Sequence, residues 1–281
     1  MDSVKLNNGV SMPMLGLGTF KSTDSSECID SVTSALELGY RMIDTARMYK
    51  NEEFVGEAVA SSGIDRHDIF LTTKVWCDEF DDARKAVEDS LTKLRTDYID
   101  LVLLHWPYGN VYAAWRELEK MYREGLIRAI GVSNFNTDRL IDLVRYNEVV
   151  PAVNQIETNL TAQRLEEHEW MVRLGIQHEG YMPFSQGRMN EVFDEPSLVT
   201  IAEKHGKSVR QVALRYQIQC GVIVIPKSVH RERIQANADI FDFELSPEEM
   251  SAIRALDRRT PITGIPEDPE RVMKITGFQL P

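Results

Sequence analysis

Four residues that can bind or release protons are spaced through the first 105 positions: Asp44, Tyr49, Lys74 and His105. A tyrosine hydroxyl is a weak acid, with an unperturbed pKa of about 10. A neighbouring ammonium group favours the phenolate and lowers that pKa, and Lys74 would do so if the fold placed it beside Tyr49. Asp44 would pair with the lysine and hold it in place. His105 would donate a hydrogen bond to a substrate oxygen and orient it.

These four residues predict proton transfer to an alkoxide as it develops from a carbonyl group. The sequence lacks the zinc motif H-E-x-x-H, since His168-Glu169 continues to Val172, and Gly131-Val-Ser-Asn breaks the serine-hydrolase motif G-x-S-x-G. The other histidines lack the spacing of metal ligands, so we expect no metal site. Without a metal or an activated nucleophile, the hydride must come from a cofactor.

Each of these residues taken alone also has a structural interpretation. Asp44 can close a turn before a helix that is capped by Asn51. Lys74 can extend along the surface with its charged end in water, and His105 can be a hydrogen-bonded core residue. The chemical interpretation depends on all four lying at the ends of neighbouring strands.

The sequence predicts a regular alternation of strands and helices after a small hairpin over residues 4–12. The eight predicted strands are residues 14–18, 41–44, 69–74, 99–105, 127–133, 152–157, 176–181 and 222–226. The predicted helices are residues 25–38, 51–61, 81–94, 111–124, 137–146, 162–174, 197–205, 208–219, from 231 onward, and 247–256. The tail after Thr260 contains Pro and Gly and is predicted to be irregular.

Eight strand-helix units predict an α/β fold, a (β/α)8 TIM barrel with an N-terminal β-hairpin and extra helices. We expect one barrel domain over residues 1–281. A doubly wound sheet is the alternative, and the regular number and spacing of the strands favour the barrel. In a barrel the carboxyl ends of all strands face one mouth, where the chemistry is expected.

Composition restricts the possible partners. The formal charge of −12 argues against a nucleic-acid or anionic-membrane surface. The first residues are polar and no apolar run has the length of a membrane span, so we expect a cytoplasmic protein. Three scattered cysteines suit a reducing compartment better than a disulfide framework.

A nucleotide-binding site is predicted near the end of the chain. The dinucleotide motif G-x-G-x-x-G fails, because Gly16-Leu-Gly18 continues to Lys21. Lys227, Ser228 and Arg233 instead gather donors after the last strand and beside a helix N-terminus, which suits an anion. A solvated basic patch is the alternative interpretation.

Seven motifs in this chain resemble those of the aldo-keto reductase family, in the same order and over nearly the whole length. They are Leu15-Gly-Leu-Gly-Thr19, Asp44-Thr-Ala-Arg-Met-Tyr-Lys-Asn-Glu52, Thr73-Lys74, Leu104-His-Trp-Pro107, Gly131-Val-Ser-Asn-Phe135, Asn154-Gln-Ile-Glu157 and Ile225-Pro-Lys-Ser228. The short tail is similar to that of microbial members. The resemblance implies an NADPH-dependent reductase of aldehydes or ketones that acts as a monomer on a small carbonyl substrate.

The resemblance also implies roles for individual residues. Tyr49 would be the general acid, Lys74 and Asp44 would tune it, and His105 would orient the carbonyl group. The implied cofactor contacts are Ser133, Asn134 and Gln155 at the nicotinamide carboxamide, Tyr181 on its ring, Lys227, Ser228 and Arg233 at the 2′-phosphate of NADP, and Asn237 at the adenine.

The substrate pocket is where the chain departs from the family. Phe20 stands where the family often has a tryptophan, and Trp76 and Trp106 follow two other strands, so we expect a partly aromatic, apolar pocket. The loop over residues 182–187 differs from the common Ser-Pro-Leu-Gly, so its pyrophosphate contacts are not carried over.

Two other functions remain open from the sequence. A cofactor-binding regulatory subunit on the same fold would bind NADPH without turning over a carbonyl compound. A sugar-phosphate isomerase or lyase would act without nicotinamide, and Ser133, Asn134 and Gln155 would then have no role.

Overall fold

The computed structural model describes residues 2–188 and 190–280, and its centre is a sheet of eight parallel strands in sequential order. The backbone N–H of Gly16 donates to Val224 at 3.0 Å, and that of Val224 donates to Met14 at 3.0 Å. These bonds join the first and last strands and close the barrel. The predicted (β/α)8 barrel is confirmed, and the doubly wound alternative is wrong because a doubly wound sheet would remain open.

The first two strands form the predicted hairpin, and the other eight form the barrel. They are β1 (Ser3–Lys5), β2 (Ser11–Pro13), β3 (Leu17–Gly18), β4 (Met42–Asp44), β5 (Phe70–Val75), β6 (Leu101–Leu104), β7 (Ile130–Ser133), β8 (Val153–Glu157), β9 (Gln177–Tyr181) and β10 (Ile223–Val224). Side chains of β4 to β8 are buried along their whole length. Near-continuous apolar runs are typical of strands covered on both faces, as β6 illustrates.

Helices surround the barrel. They are α1 (Ser25–Glu37), α2 (Glu52–Ser61), α3 (Ala83–Lys93), α4 (Val111–Arg123), α5 (Thr137–Tyr146), α6 (Leu165–Leu174), α7 (Pro196–His205), α8 (Val209–Gln219), α9 (Arg231–Ala238), α10 (Pro247–Arg254) and α11 (Pro269–Thr276). None of the helices in the described ranges is long and apolar enough to cross a membrane.

The hairpin lies under the amino-terminal ends of the strands. The Asn7 side chain donates to the carbonyl of Pro151 at 3.0 Å, and that of Asn8 donates to Arg128 at 2.9 Å. Both acceptors precede barrel strands, so the hairpin covers the bottom of the barrel. The mouth at the carboxyl ends of the strands is not covered by the hairpin and is where the active site is expected.

Two predictions about local structure were wrong. The tail contains α11, whose first turn is capped by the Asp268 carboxylate accepting from the Glu270 N–H, with Pro269 in the first helical position. The helix predicted from residue 162 begins at Leu165, because the Asn159 side chain accepts from the N–H groups of Thr161 and Ala162 and holds a turn there.

Candidate active site

The four proton-transferring residues meet at the carboxyl ends of adjacent strands. Asp44 is the last residue of β4, Lys74 lies in β5, and His105 directly follows β6. Tyr49 lies on a short 3₁₀ helix, Arg47–Tyr49, between β4 and α2. Backbone pairing of β4 with β5 and of β5 with β6 sets their relative positions.

Lys74 is the fully buried centre of this group, with 0 % of its surface exposed. Its ammonium donates to both carboxylate oxygens of Asp44, at 2.7 and 2.8 Å, and to the carbonyl of Thr45 at 2.9 Å. Burial is the largest single influence and lowers the lysine pKa, but the charge and hydrogen bonds of Asp44, together with the charges of Tyr49 and Glu179, outweigh it and the pKa is raised. The lysine therefore stays protonated although it is fully buried.

The Tyr49 hydroxyl is 3.3 Å from the Lys74 ammonium, which donates to it. We expected the ammonium to lower the tyrosine pKa, and the net direction is the reverse. Burial raises the pKa more than the Lys74 charge lowers it, and the Asp44 charge adds to the rise. Tyr49 therefore retains its proton, as a general acid must before it reacts.

His105 is held as a neutral imidazole. Burial and the charge of Lys74 together keep its pKa well below the usual range. Its Nδ1 is buried and has no hydrogen-bond partner among the described residues. The ring lies edge-on to Trp76 at 5.0 Å and to Tyr49 at 5.8 Å between centroids. A neutral ring with its hydrogen on Nε2 can donate to a substrate oxygen in the cavity.

Residues missed by the sequence reasoning hold the Tyr49 loop. Asn51, predicted only as a helix cap, makes no cap bond. Its side chain is buried and donates to the carbonyls of Thr19 and Ser22, at 2.9 and 3.1 Å, and accepts from Thr45 at 2.6 Å. The Arg47 guanidinium donates to Glu79 at 2.8 Å. These contacts tie the loop to neighbouring loops.

Ser133, Asn134, Gln155 and Tyr181 form a second polar cluster on the wall of the same cavity. The Ser133 hydroxyl donates to the Gln155 carbonyl at 2.8 Å. The Asn134 amide donates to the His105 carbonyl and to Ser133 Oγ, at 3.0 and 3.1 Å, and accepts from the Tyr181 hydroxyl at 2.7 Å. Asn134 links this cluster to His105.

Glu179, which the sequence reasoning did not select, lies behind both clusters. It is 0 % exposed, and the Gln155 side-chain amide donates to it at 2.9 Å and to Asp44 at 2.8 Å. Burial, followed by the Asp44 charge, raises the pKa of Glu179 to about 8. The signal in the sequence was a polar strand, Gln177-His-Glu-Gly-Tyr181, in a barrel of apolar strands.

Glu179→Gln tests this burial through the pH dependence of stability. The raised pKa means that the folded protein holds the proton while the unfolded chain releases it, so wild-type stability falls as pH rises from about 4.5 to about 8. Glutamine does not titrate, so the variant should gain about 3–4 kcal/mol relative to wild type between pH 5 and 8. Denaturant unfolding at several pH values measures this, and a difference that stays constant would contradict it.

A cavity of about 540 Å³ opens over these two clusters. Phe20, 44 % exposed, lies 5.0 Å from the Tyr49 ring between centroids. Trp76 and Trp106 also line the cavity, as expected from the sequence, together with Met48 and Phe184. The wall on this side is apolar and aromatic.

The C-terminal tail supplies the rest of the wall. The buried Glu157 carboxylate accepts from the backbone N–H groups of Ile262 and Thr263, at 2.8 and 2.7 Å. The Tyr108 hydroxyl donates to the Pro266 carbonyl at 2.7 Å. These anchors place Arg271 of α11 in the cavity wall, with its guanidinium 4.7 Å from the Trp106 ring centroid.

The predicted anion site is only partly in the cavity. Lys227 lines its rim, whereas Ser228, Arg233 and Asn237 lie beyond it, in the loop after β10 and on α9. Arg231, on the same turn of α9, pairs with Glu37. Lys227 and Arg233 are exposed and form no ion pair with the described residues.

Comparison with known proteins agrees with this geometry. A model of the aldo/keto reductase family matches residues 14–258. The chain belongs to this family. It is therefore an enzyme of a family that reduces carbonyl groups with nicotinamide cofactors, and the sugar-phosphate isomerase alternative is wrong.

The chain is similar to several proteins that are named as reductases. The chain is 48 % identical to glyoxal reductase of Bacillus subtilis, over 92 % of this chain and 93 % of that one. It is 42 % identical to methylglyoxal reductase DkgA of Escherichia coli, over 91 % and 93 %. An aldo-keto reductase of Bombyx mori, solved in complex with NADP, has a TM-score of 0.87 at 36 % identity, over 92 % of this chain and 94 % of that one.

Proposed function

We propose that this protein is an NADPH-dependent reductase of aldehydes and ketones, with α-dicarbonyl compounds among its substrates. The observation that carries the proposal is the contact of Tyr49 with a buried Lys74–Asp44 ion pair on the wall of a cavity that also contains His105. The names of the glyoxal and methylglyoxal reductases support the substrate class.

Each of the four residues has one task in this reaction. The hydroxyl of Tyr49 gives its proton to the alkoxide oxygen. The positive charge of Lys74 stabilises the phenolate that remains, and Asp44 keeps that lysine charged. The neutral His105 donates a hydrogen bond to the same substrate oxygen and orients it.

The residues around the cavity fit a nicotinamide cofactor. Ser133, Asn134 and Gln155 would hold the carboxamide and Tyr181 would lie against the ring, all four on the cavity wall with Tyr49. When bound, the reduced cofactor supplies the hydride. Ser228 and Asn237 would contact the nucleotide beyond the rim, on the side of the loop after β10.

Lys227 and Arg233 would bind the 2′-phosphate, because both are cations without an acidic partner in the described ranges. We expect Lys227→Met with Arg233→Met to weaken NADPH binding by about 10²-fold and to leave NADH binding unchanged. Fluorescence titration with both nucleotides measures this. Arg231→Met is the matched control, since Arg231 is already paired with Glu37; an equal loss for NADH would contradict the assignment.

Arg271 gives the substrate pocket a charge preference. It has no ion pair with the described residues, and its buried Nε has no hydrogen-bond partner among them. We expect 4-carboxybenzaldehyde to be reduced with a higher kcat/KM than its neutral methyl ester, and Arg271→Gln to lower kcat/KM for the acid by about tenfold and not for the ester. Lys274→Gln, on the exposed side of α11, is the control. Equal losses for both substrates would contradict a charge effect.

The direct test is NADPH consumption with a panel of aldehydes and α-dicarbonyl compounds, with NADPH binding measured separately. We expect turnover of several members of the panel. Tight NADPH binding without turnover of any of them would favour the regulatory-subunit alternative. Absence of NADPH binding would contradict the cofactor assignment.

A further inference from the structure

The side-chain amide of Gln155 is held from behind by two carboxyl groups. Its Nε2 donates to Asp44 Oδ2 at 2.8 Å and to Glu179 Oε2 at 2.9 Å. A primary amide has two N–H bonds, so both are used. The amide oxygen accepts no hydrogen bond from the described residues, and Gln155 lines the cavity. The oxygen is thus the part of this side chain that a bound molecule meets.

The orientation of this amide follows from charge as well as from distance. If the amide were turned over, its oxygen would lie against the ionised Asp44, which pairs with Lys74. Without Glu179, one N–H would be buried with no acceptor, and the amide could rotate to present it to the cavity. Both acceptors are therefore needed to hold the oxygen outward.

Ser133 and Asn134, which lie next to Gln155, also use their donor hydrogens within the protein. The Ser133 hydroxyl uses its hydrogen on the Gln155 carbonyl, and the Asn134 amide uses its N–H groups on the His105 carbonyl and on Ser133. The Asn134 oxygen accepts from the Tyr181 hydroxyl at 2.7 Å, so none of these three side chains keeps a hydrogen for a ligand. Because the donor hydrogens of Ser133, Asn134 and Gln155 are all used within the protein, this wall can only accept and selects a hydrogen-bond donor on the ligand.

Glu179 is suited to accept a hydrogen bond without adding charge. Its pKa of about 8, raised by burial and then by the Asp44 charge, leaves it mostly neutral at pH 7. A neutral carboxyl group still accepts from Gln155 through Oε2. Asp44 then remains the single negative partner of Lys74 in this group.

We propose that Glu179 is a positioning residue that fixes the Gln155 amide with its oxygen toward the cavity, so that the site recognises the amino group of the cofactor's carboxamide. This inference rests on the proposed function, since it requires nicotinamide at this wall. Glu179 itself lies behind Gln155 and touches neither substrate nor cofactor.

The test compares binding of NADPH with that of its reduced 3-acetylpyridine analogue, which has a methyl group in place of the carboxamide amino group. We expect wild type to bind NADPH about tenfold more tightly than the analogue, because a tenfold difference in affinity corresponds to the loss of about one hydrogen bond. Glu179→Met, of similar volume but without an acceptor, should reduce that preference to about twofold or less. Glu179→Gln keeps an acceptor for the Gln155 N–H and should retain the preference.

Fluorescence titration gives both dissociation constants without turnover. Glu119→Met is the matched control, because Glu119 is also a buried carboxylate, bonded to the N–H groups of Glu148 and Val149 on the outer ring of helices. A preference that survives in Glu179→Met, or is lost in Glu119→Met as well, would overturn the inference. Equal wild-type binding of both nucleotides would overturn it and leave the reductase assignment intact, whereas binding of neither would overturn the proposed function itself.

Discussion

Tyr49→Phe should lower kcat for carbonyl reduction by about 10²–10⁴-fold, the usual contribution of a general acid, and leave NADPH binding unchanged. The substitution keeps the ring and its packing against Phe20 and removes only the hydroxyl that Lys74 contacts. Steady-state kinetics with a reactive aldehyde and a separate nucleotide titration measure the two effects.

A second tyrosine near the cavity serves as the control. Tyr108 donates to the Pro266 carbonyl and anchors the tail, so Tyr108→Phe should change KM more than kcat. If Tyr49→Phe retained more than about a tenth of the wild-type kcat, Tyr49 would not be the proton donor.

Lys74→Met should be the most destabilising of these substitutions, because it leaves the buried Asp44 carboxylate without its cation. Breaking a buried ion pair by removing one partner typically costs about 3–5 kcal/mol of folding free energy. Lys74 donates two bonds to Asp44 and one to Thr45, and all of them would be lost. Denaturant unfolding gives the stability change, and we expect kcat to fall by at least about 10²-fold in the same variant.

The double variant Lys74→Met, Asp44→Asn separates stability from catalysis. With both charges removed, most of the lost stability should return, since a buried pair is worth little relative to neutral partners. The activity should remain low, because no cation is left to stabilise the Tyr49 phenolate. If the double variant recovered activity with stability, the charge on Lys74 would not act in catalysis.

The sequence predicted the position of the site because its residues are set by strand ends. Asp44, Lys74 and His105 each end a predicted strand, and parallel pairing in register brings such ends together. The barrel itself followed from eight regular strand-helix units. The barrel and the position of its site could be predicted because they depend on the local hydrophobic pattern of each segment and on the rule that barrel active sites lie at the carboxyl ends of the strands.

The features that the sequence did not predict depend on contacts distant in the chain. Glu157 anchors the backbone of Ile262, 105 residues away, and no local pattern indicates that pair. The direction of the Tyr49 pKa depended on how deeply the fold buries the hydroxyl. The helix α11 was different, because the sequence itself signals it: Asp268 precedes it, Pro269 is its first residue and Gly277 follows it.

The most direct test of the proposed function follows the hydride itself. NADPH with both hydrogens on C4 of its nicotinamide replaced by deuterium would be incubated with the enzyme and a simple aldehyde. The alcohol product would then be analysed by mass spectrometry and NMR. We predict one deuterium on the carbinol carbon of each product molecule. Alcohol formed without deuterium at that carbon, or no alcohol from an enzyme that binds NADPH, would contradict reduction by hydride transfer at this site.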